Sequence, residues 1–210
     1  MSAAAGAGDA LSAGLSRYLT RRQLASLAAV RIGVAGAGGI GSNVAFMLAR
    51  SGLRRFLLLD FDEVEPSNLN RQCFLPSDVG RPKAEALRDG ILALSPGAQV
   101  DARVLRVTGD VLPGLLPLAD IWIEAFDGAD DKRVLVEACL AGRIPVVSAS
   151  GIAGWGGAPM RRRDVGTLTV VGDFERDVAD YPPLAPRVVQ AAAMMADAVL
   201  ERILGTCGEA

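Results

Sequence analysis

The chain of 210 residues contains no histidine. That absence excludes the Ser-His-Asp triad, the Cys-His dyad, any imidazole acid or base and any histidine-ligated metal centre. Lysine is almost missing too: only Lys83 and Lys132 accompany 20 arginines. Cys73, Cys139 and Cys207 lie far apart and form no CxxC pair. No zinc site is therefore expected, and the odd, sparse count suits a reducing cytoplasm better than a disulfide framework. Neither sign of charge dominates. Lys plus Arg total 22 against 24 Asp plus Glu, which excludes a general polyanion binder and predicts no nucleic-acid partner. No uninterrupted apolar run is long enough to span a bilayer. The longest uncharged stretches, Ile32–Ala49 and Ile144–Met160, are broken by Gly, Ser, Asn and Pro, so no membrane association is expected. The N-terminus shows no basic region followed by an apolar run, so no secretory signal is visible.

Half of the residues are hydrophobic, enough for a substantial core. Residues 1–14 are Ala, Gly and Ser apart from Met1, Asp9 and Leu11, and read as a flexible segment. Residues 15–210 read as a single domain. Leu15 to Ala29 carries apolar residues at near-helical spacing and reads as a short helix or helix pair. Strands are expected at Arg31–Ala35, Arg55–Asp60, Gln99–Leu105, Ile121–Glu124 and Pro145–Ala149. Helices are expected at Ser42–Arg50, Lys83–Leu94 and Ala129–Ala141. This alternation predicts an α/β fold with a mostly parallel sheet covered on both faces. Beyond Gly151 the pattern changes. Met160–Arg163 and Thr167–Val171 read as short strands, and Leu184–Leu204 as a long final helix.

Gly36, Gly38, Gly39 and Gly41 form a GxGxxG turn between a strand and a helix. Such a turn lets a phosphate approach the backbone, and the helix N-terminus supplies free N–H donors. The turn alone does not choose between a dinucleotide and ATP. Asp60 ends the second strand about 20 residues later, where a carboxylate accepts from ribose hydroxyls. A strand-end cap is the alternative for Asp60. An NAD-dependent oxidoreductase remains open at this point.

The block that follows, Asp60-Phe-Asp62-Glu63-Val-Glu65-Pro-Ser-Asn68-Leu-Asn70-Arg71-Gln72, is more specific. It resembles the DxDxVexSNLNRQ motif of the ThiF/MoeB/HesA family, bacterial relatives of ubiquitin-activating enzymes. Gly80-Arg-Pro-Lys83-Ala84 is similar to that family's G-x-x-K-A element. Glu124-Ala-Phe-Asp127 is similar to its strand-four aspartate motif. Ala149-Ser-Gly-Ile-Ala-Gly154 and Ala185-Pro-Arg187-Val188 resemble the short ThiF subfamily, which lacks zinc-binding cysteines.

The resemblance implies a Rossmann-like, doubly wound sheet with a short antiparallel extension at the C-terminal end. It implies an ATP- and Mg²⁺-dependent adenylyltransferase acting on the C-terminal Gly-Gly carboxylate of a small ubiquitin-like sulfur carrier. By the same resemblance Asp60 takes the ribose, Asn68, Arg71 and Lys83 take the phosphates, and Asp127 takes Mg²⁺. Asp62 either touches ATP or supports its loop. A homodimer is implied, with Arg21 or Arg22 as the candidate reaching the partner's nucleotide, and so is a separate sulfur-donor protein. The carrier of thiamine thiazole synthesis is the first candidate substrate. A molybdopterin or cysteine-pathway carrier, or a small-molecule or RNA carboxylate, is the alternative.

The residues suit that chemistry. A carboxylate nucleophile is already ionised at neutral pH and needs no general base, so a histidine-free site is sensible. An arginine can fork onto phosphate oxygens, a lysine places a compact charge, and Mg²⁺ needs only one or two protein carboxylates. Each charged residue also has an ordinary reading: Arg71 and Lys83 as solvated surface charges, Asp127 as a helix cap. None of the cysteines is expected to react. Cys139 falls on an apolar helix face, Cys207 lies in the tail and Cys73 reads as packing. Trp155 is a candidate contact for an extended peptide. Arg161-Arg162-Arg163 reads either as a patch for an acidic carrier or as a solvated strand edge.

Overall fold

The computed structural model describes residues 7–207. The expected flexibility of residues 1–6 lies outside that range. The rest of the expected flexible segment is helical, as α1 (Ala7–Leu15). Alanine favours the helix, and two contacts tie it down. Leu15 lies beside Gly52 and Leu27, and the Ser12 hydroxyl accepts from Arg54. In α2 (Arg21–Ala29), Thr20 and Gln23 form a capping box: Gln23 N–H donates to Thr20 Oγ1, and Thr20 N–H to Gln23 Oε1.

From there the chain alternates: β1 (Arg31–Ala35), α3 (Gly39–Arg50), β2 (Arg55–Asp60), α4 (Lys83–Leu94), β3 (Gln99–Val104), α5 (Leu112–Leu115), β4 (Ile121–Glu124), α6 (Ala129–Ala141) and β5 (Val146–Ala149). It closes with β6 (Arg161–Val165), β7 (Leu168–Gly172) and α7 (Ala185–Leu204). The seven strands form one sheet in the order β3-β2-β1-β4-β5-β7-β6. Every neighbouring pair is parallel except β6 and β7, which supply the antiparallel extension at one edge.

Strand residues alternate between two cores, as the pleat requires. Ile32, Val34, Phe56, Leu58 and Ile123 join buried residues of α3, α4 and α7. Ala35, Leu57, Leu59 and Trp122 join Leu115 of α5 and Leu135 and Cys139 of α6. Helices thus cover both faces. Helix α7 packs along α3 and also touches α2, β5 and β7, and its Val188 reaches Gly39 at the start of α3. The sheet runs outward from β1 in both directions, so the carboxyl ends of β1 and β4 diverge into a crevice where α/β sheets bind ligands.

The triple-arginine segment lies on the edge strand β6, and its charges are partly paired. Arg162 meets Asp164 and Glu201, and Arg163 lies over the Phe174 ring at 4.1 Å. Among the described residues, no helix is long and apolar enough to cross a membrane.

Candidate active site

The glycine turn is built on backbone contacts at the carboxyl end of β1. Gly36 N–H donates to the Leu59 carbonyl at 2.8 Å. Ser42 Oγ donates to the Gly38 carbonyl at 2.7 Å, and Cys73 N–H donates to Ser42 Oγ at 3.1 Å. Helix α3 starts at Gly39, with Gly38 as its N-cap and no side chain capping it. Its first N–H groups therefore have no partner from a cap. A Cβ on Gly41 would lie 1.8 Å from the Gly36 carbonyl oxygen, closer than any real contact. Gly41→Ala is expected to cost about 4 kcal/mol or more, because the turn must move as a whole. Thermal unfolding in the absence of nucleotide is the check.

Asp60 is tied to that turn. Its Oδ2 accepts from Ala37 N–H at 2.6 Å and its Oδ1 from Asp62 N–H at 2.8 Å. Burial pushes the carboxyl above its ordinary value, against the pull of those two N–H groups and of Lys83. The Lys83 ammonium donates to Asp62 Oδ2 at 2.9 Å, and Lys83 N–H donates to the Asp62 carbonyl at 2.9 Å. Asp62 thus fixes Lys83, which is buried, to the end of β2. Asn68 is buried in a 3₁₀ turn, and its Oδ1 accepts from Glu65 N–H at 3.0 Å.

Arg71 lies over the glycine turn. Its Cγ and Cδ are 3.5 and 3.6 Å from where a Gly39 Cβ would sit. Its Nη1 donates to the Ser67 carbonyl and Asn70 Oδ1, while Asn43 Nδ2 bridges the carbonyls of Gly39 and Arg71. Nε and Nη2 of Arg71 make no hydrogen bond to the described residues.

A pocket of about 410 Å³ opens at the carboxyl ends of β4 and β5, beside the turn. Gly39, Arg71 and Asp127 all line it, together with Gly151, Ile152 and Val178. Gly36, Gly38, Gly41, Asp60, Asp62, Asn68 and Lys83 do not line it. They lie beside it, in the turn and in the segment that follows β2. Arg21 and Arg22 are exposed at the start of α2, away from the pocket lining.

Asp127 is exposed, and its carboxylate makes no hydrogen bond or ion pair to the described residues. Among those residues, no group of three or more Cys, Asp or Glu side chains converges as a metal site. A lone open carboxylate in a nucleotide-sized pocket fits Mg²⁺, which takes one or two protein carboxylates and completes its shell with phosphates and water.

One part of the site escaped the sequence reading. Glu124, at the end of β4, is fully buried. Its Oε1 accepts from Phe126 N–H at 2.8 Å, and its Oε2 accepts from Lys132 Nζ and, at 2.6 Å, from Ser148 Oγ. The network fixes the turn that carries Asp127, and Lys132 also lines the pocket. The scarcity of lysine was the available signal for Lys132. Nothing in the spacing announced that a strand-end glutamate eight residues earlier would be its partner.

Two of the three cysteines are poor nucleophiles. Burial pushes the Cys139 thiol up to about 12. Cys73 is also raised by burial, and its thiol donates to Asn43 Oδ1 at 3.1 Å. Cys207 is exposed near the end of the chain.

The model of the ThiF family matches residues 12–209. The sulfur carrier protein ThiS adenylyltransferase of Escherichia coli strain K12 is 34% identical over 128 residues, which is 60% of this chain and 51% of that protein. The tRNA threonylcarbamoyladenosine dehydratase of Bacillus subtilis strain 168 is 37% identical over 124 residues, 58% of this chain and 49% of that protein. The chain thus spans about half the length of these curated relatives. The crystal structure of the E. coli tRNA N6-threonylcarbamoyladenosine dehydratase TcdA superposes with a TM-score of 0.84 at 24% identity, covering 93% of this chain and 95% of that one. Its complex with AMP superposes at 0.81 with 26% identity, covering 91% and 93%. Since the family model covers nearly the whole chain, and the glycine turn, the segment after β2 and the Asp127 turn meet around one pocket, the chain belongs to the ThiF family.

Proposed function

We propose that this chain transfers adenylate from ATP to the C-terminal carboxylate of a small ubiquitin-like carrier ending in Gly-Gly, a ThiS-type sulfur carrier of thiamine thiazole synthesis. The observation that carries this reading is the shared pocket. The open end of α3, the free edge of the Arg71 guanidinium and the unpaired Asp127 carboxylate face one space, and no general base is needed there. The carboxylate oxygen of the carrier attacks the α-phosphorus, an acyl–phosphate bond forms, and pyrophosphate leaves with the electrons of the broken bond. No proton has to be removed from the nucleophile.

The catalytic burden is then positioning and charge neutralisation. The N–H groups at the start of α3 bind phosphate oxygens. Arg71 forks onto them, and Lys83, held by Asp62, adds a point charge with Asn68 as a neutral donor. Asp60 accepts from the ribose hydroxyls while it holds Ala37. Asp127 would hold Mg²⁺, which would supply charge neutralisation for the triphosphate. The cysteines take no part, and sulfur comes from a separate donor protein in the cytoplasm. The active form is a homodimer in which Arg21 or Arg22 reaches the partner's nucleotide.

A second reading keeps the chemistry and changes the acid. The relative from B. subtilis is named for a tRNA substrate, whose threonylcarbamoyl group ends in a carboxylate. The near-neutral charge of this chain disfavours it, because tRNA binding draws on a cationic surplus. ATP–pyrophosphate exchange separates the two. Exchange that depends on a Gly-Gly carrier supports the first reading. Exchange that depends on threonylcarbamoyl-tRNA replaces it with the second. Failure with every acid, combined with stabilisation by NAD and not by ATP–Mg²⁺, removes both.

A further inference from the structure

The Ala185-Pro-Arg187-Val188 element has no role in the chemistry above, yet its arginine is one of the most enclosed charges in the fold. Arg187, in the first turn of α7, is 6% exposed. Its Nη2 donates to Asp173 Oδ2 at 2.5 Å, and its guanidinium also binds the carbonyls of Gly156 and, at 3.3 Å, Ala158. Asp173 is equally buried. Its Oδ1 accepts from the N–H groups of Glu175 at 2.9 Å and Arg176 at 3.0 Å. Arg176 reaches back to the same loop, with Nη1 on the Trp155 carbonyl at 2.7 Å.

Two arginines therefore gather the carbonyls of residues 155, 156 and 158. Gly157 lets them close in. Its φ is +80°, and a Cβ there would lie 2.3 Å from Arg176 Nη2. Trp155 stands on this loop with 67% of its surface exposed. The root of the loop, Gly151 and Ile152, lines the same pocket as Arg71 and Asp127. The Nε–H of Arg187 is buried without an acceptor among the described residues.

We propose that Arg187 and Asp173 are positioning residues that hold loop 151–159 ready for the extended Gly-Gly tail of the carrier, with Trp155 as the packing contact of that tail. This rests on the carrier-adenylating reading. A glycine tail offers only backbone, and ordering it is costly, so a loop fixed in advance removes part of the entropic cost of binding. A flat indole suits a chain without side chains.

The test uses the full chain and a ThiS-type carrier, intact or lacking its last two glycines. Trp122 is fully buried, so acrylamide quenching of fluorescence reads Trp155. The intact carrier with a non-hydrolysable ATP analogue is expected to shield Trp155, and the shortened carrier is not. In ATP–pyrophosphate exchange, Arg187→Lys is expected to raise the KM for carrier roughly tenfold while leaving the KM for ATP within about twofold, since only hydrogen bonds to the loop are lost. Trp155→Phe is expected to raise the carrier KM less than Trp155→Ala. An unchanged carrier KM in Arg187→Lys, a parallel rise in the KM for ATP, or unshielded Trp155 in the wild-type complex would each overturn the proposal. If the wild-type protein shows no carrier-dependent exchange at all, the adenylation reading itself has failed and this proposal falls with it.

Discussion

Asp127→Ala is expected to lower carrier-dependent ATP–pyrophosphate exchange about 10²- to 10³-fold, with little change in stability. The size follows from what is removed: a preorganised group that organises charge where it develops in the transition state. The small stability effect follows from exposure, because the carboxylate has no partner to lose among the described residues. ATP binding should weaken only modestly, since the α3 N-terminus and Arg71 remain. Exchange and thermal unfolding, measured on the same preparation, separate these effects. Normal exchange in the variant would remove Asp127 from the metal role. A large fall in unfolding temperature would make it a structural cap instead.

Lys132→Met is expected to be strongly destabilising. It strands the fully buried Glu124 carboxylate, and leaving one partner of a buried pair uncompensated costs about 3–5 kcal/mol. At roughly 2–4 °C per kcal/mol for a domain of this size, the unfolding temperature should fall by roughly 10 °C. Adding Glu124→Gln should recover most of the loss, because the amide can still accept from Phe126 N–H and meet Ser148 with no charge left to strand. If Lys132→Met and the double variant are equally unstable, packing rather than charge explains the effect.

Much of the architecture was legible because strands buried on both faces leave unbroken apolar runs. β1, β2 and β4 begin and end where Arg31–Ala35, Arg55–Asp60 and Ile121–Glu124 predict, and α4 and α6 match Lys83–Leu94 and Ala129–Ala141. Misses fall where local chemistry is ambiguous. Helix α3 starts at Gly39 rather than Ser42, because the glycines that make the turn also form the first helical residues. The Leu-Pro-Gly-Leu-Leu-Pro-Leu stretch hides the short helical crossover at 112–118, since its prolines and glycine read as loop. Segment 7–14 is helical, and its Ser12 meets Arg54 in a contact that no local pattern reveals.

The site was legible as a set of motifs and not as a geometry. Arg71, Asp127 and Gly39 do meet around one pocket, and Asp60, Asn68 and Lys83 are buried in the turn-bound segment beside it. The Arg187–Asp173 clamp and the Glu124–Lys132 pair are long-range contacts between strand ends and helix starts. Sequence spacing does not encode such pairings.

The packing of α7 along α3 bears on the order in which the protein can fold. The nucleotide turn is near the beginning of the chain, but Val188, near its end, covers Gly39, and α7 closes the core over α3. β1 must also wait for β4, about 90 residues later, to gain its second neighbour. These are non-local closures of the kind that slow folding. During synthesis, the apolar flank of α3 stays open until α7 leaves the ribosome, and only then does the glycine turn acquire this wall.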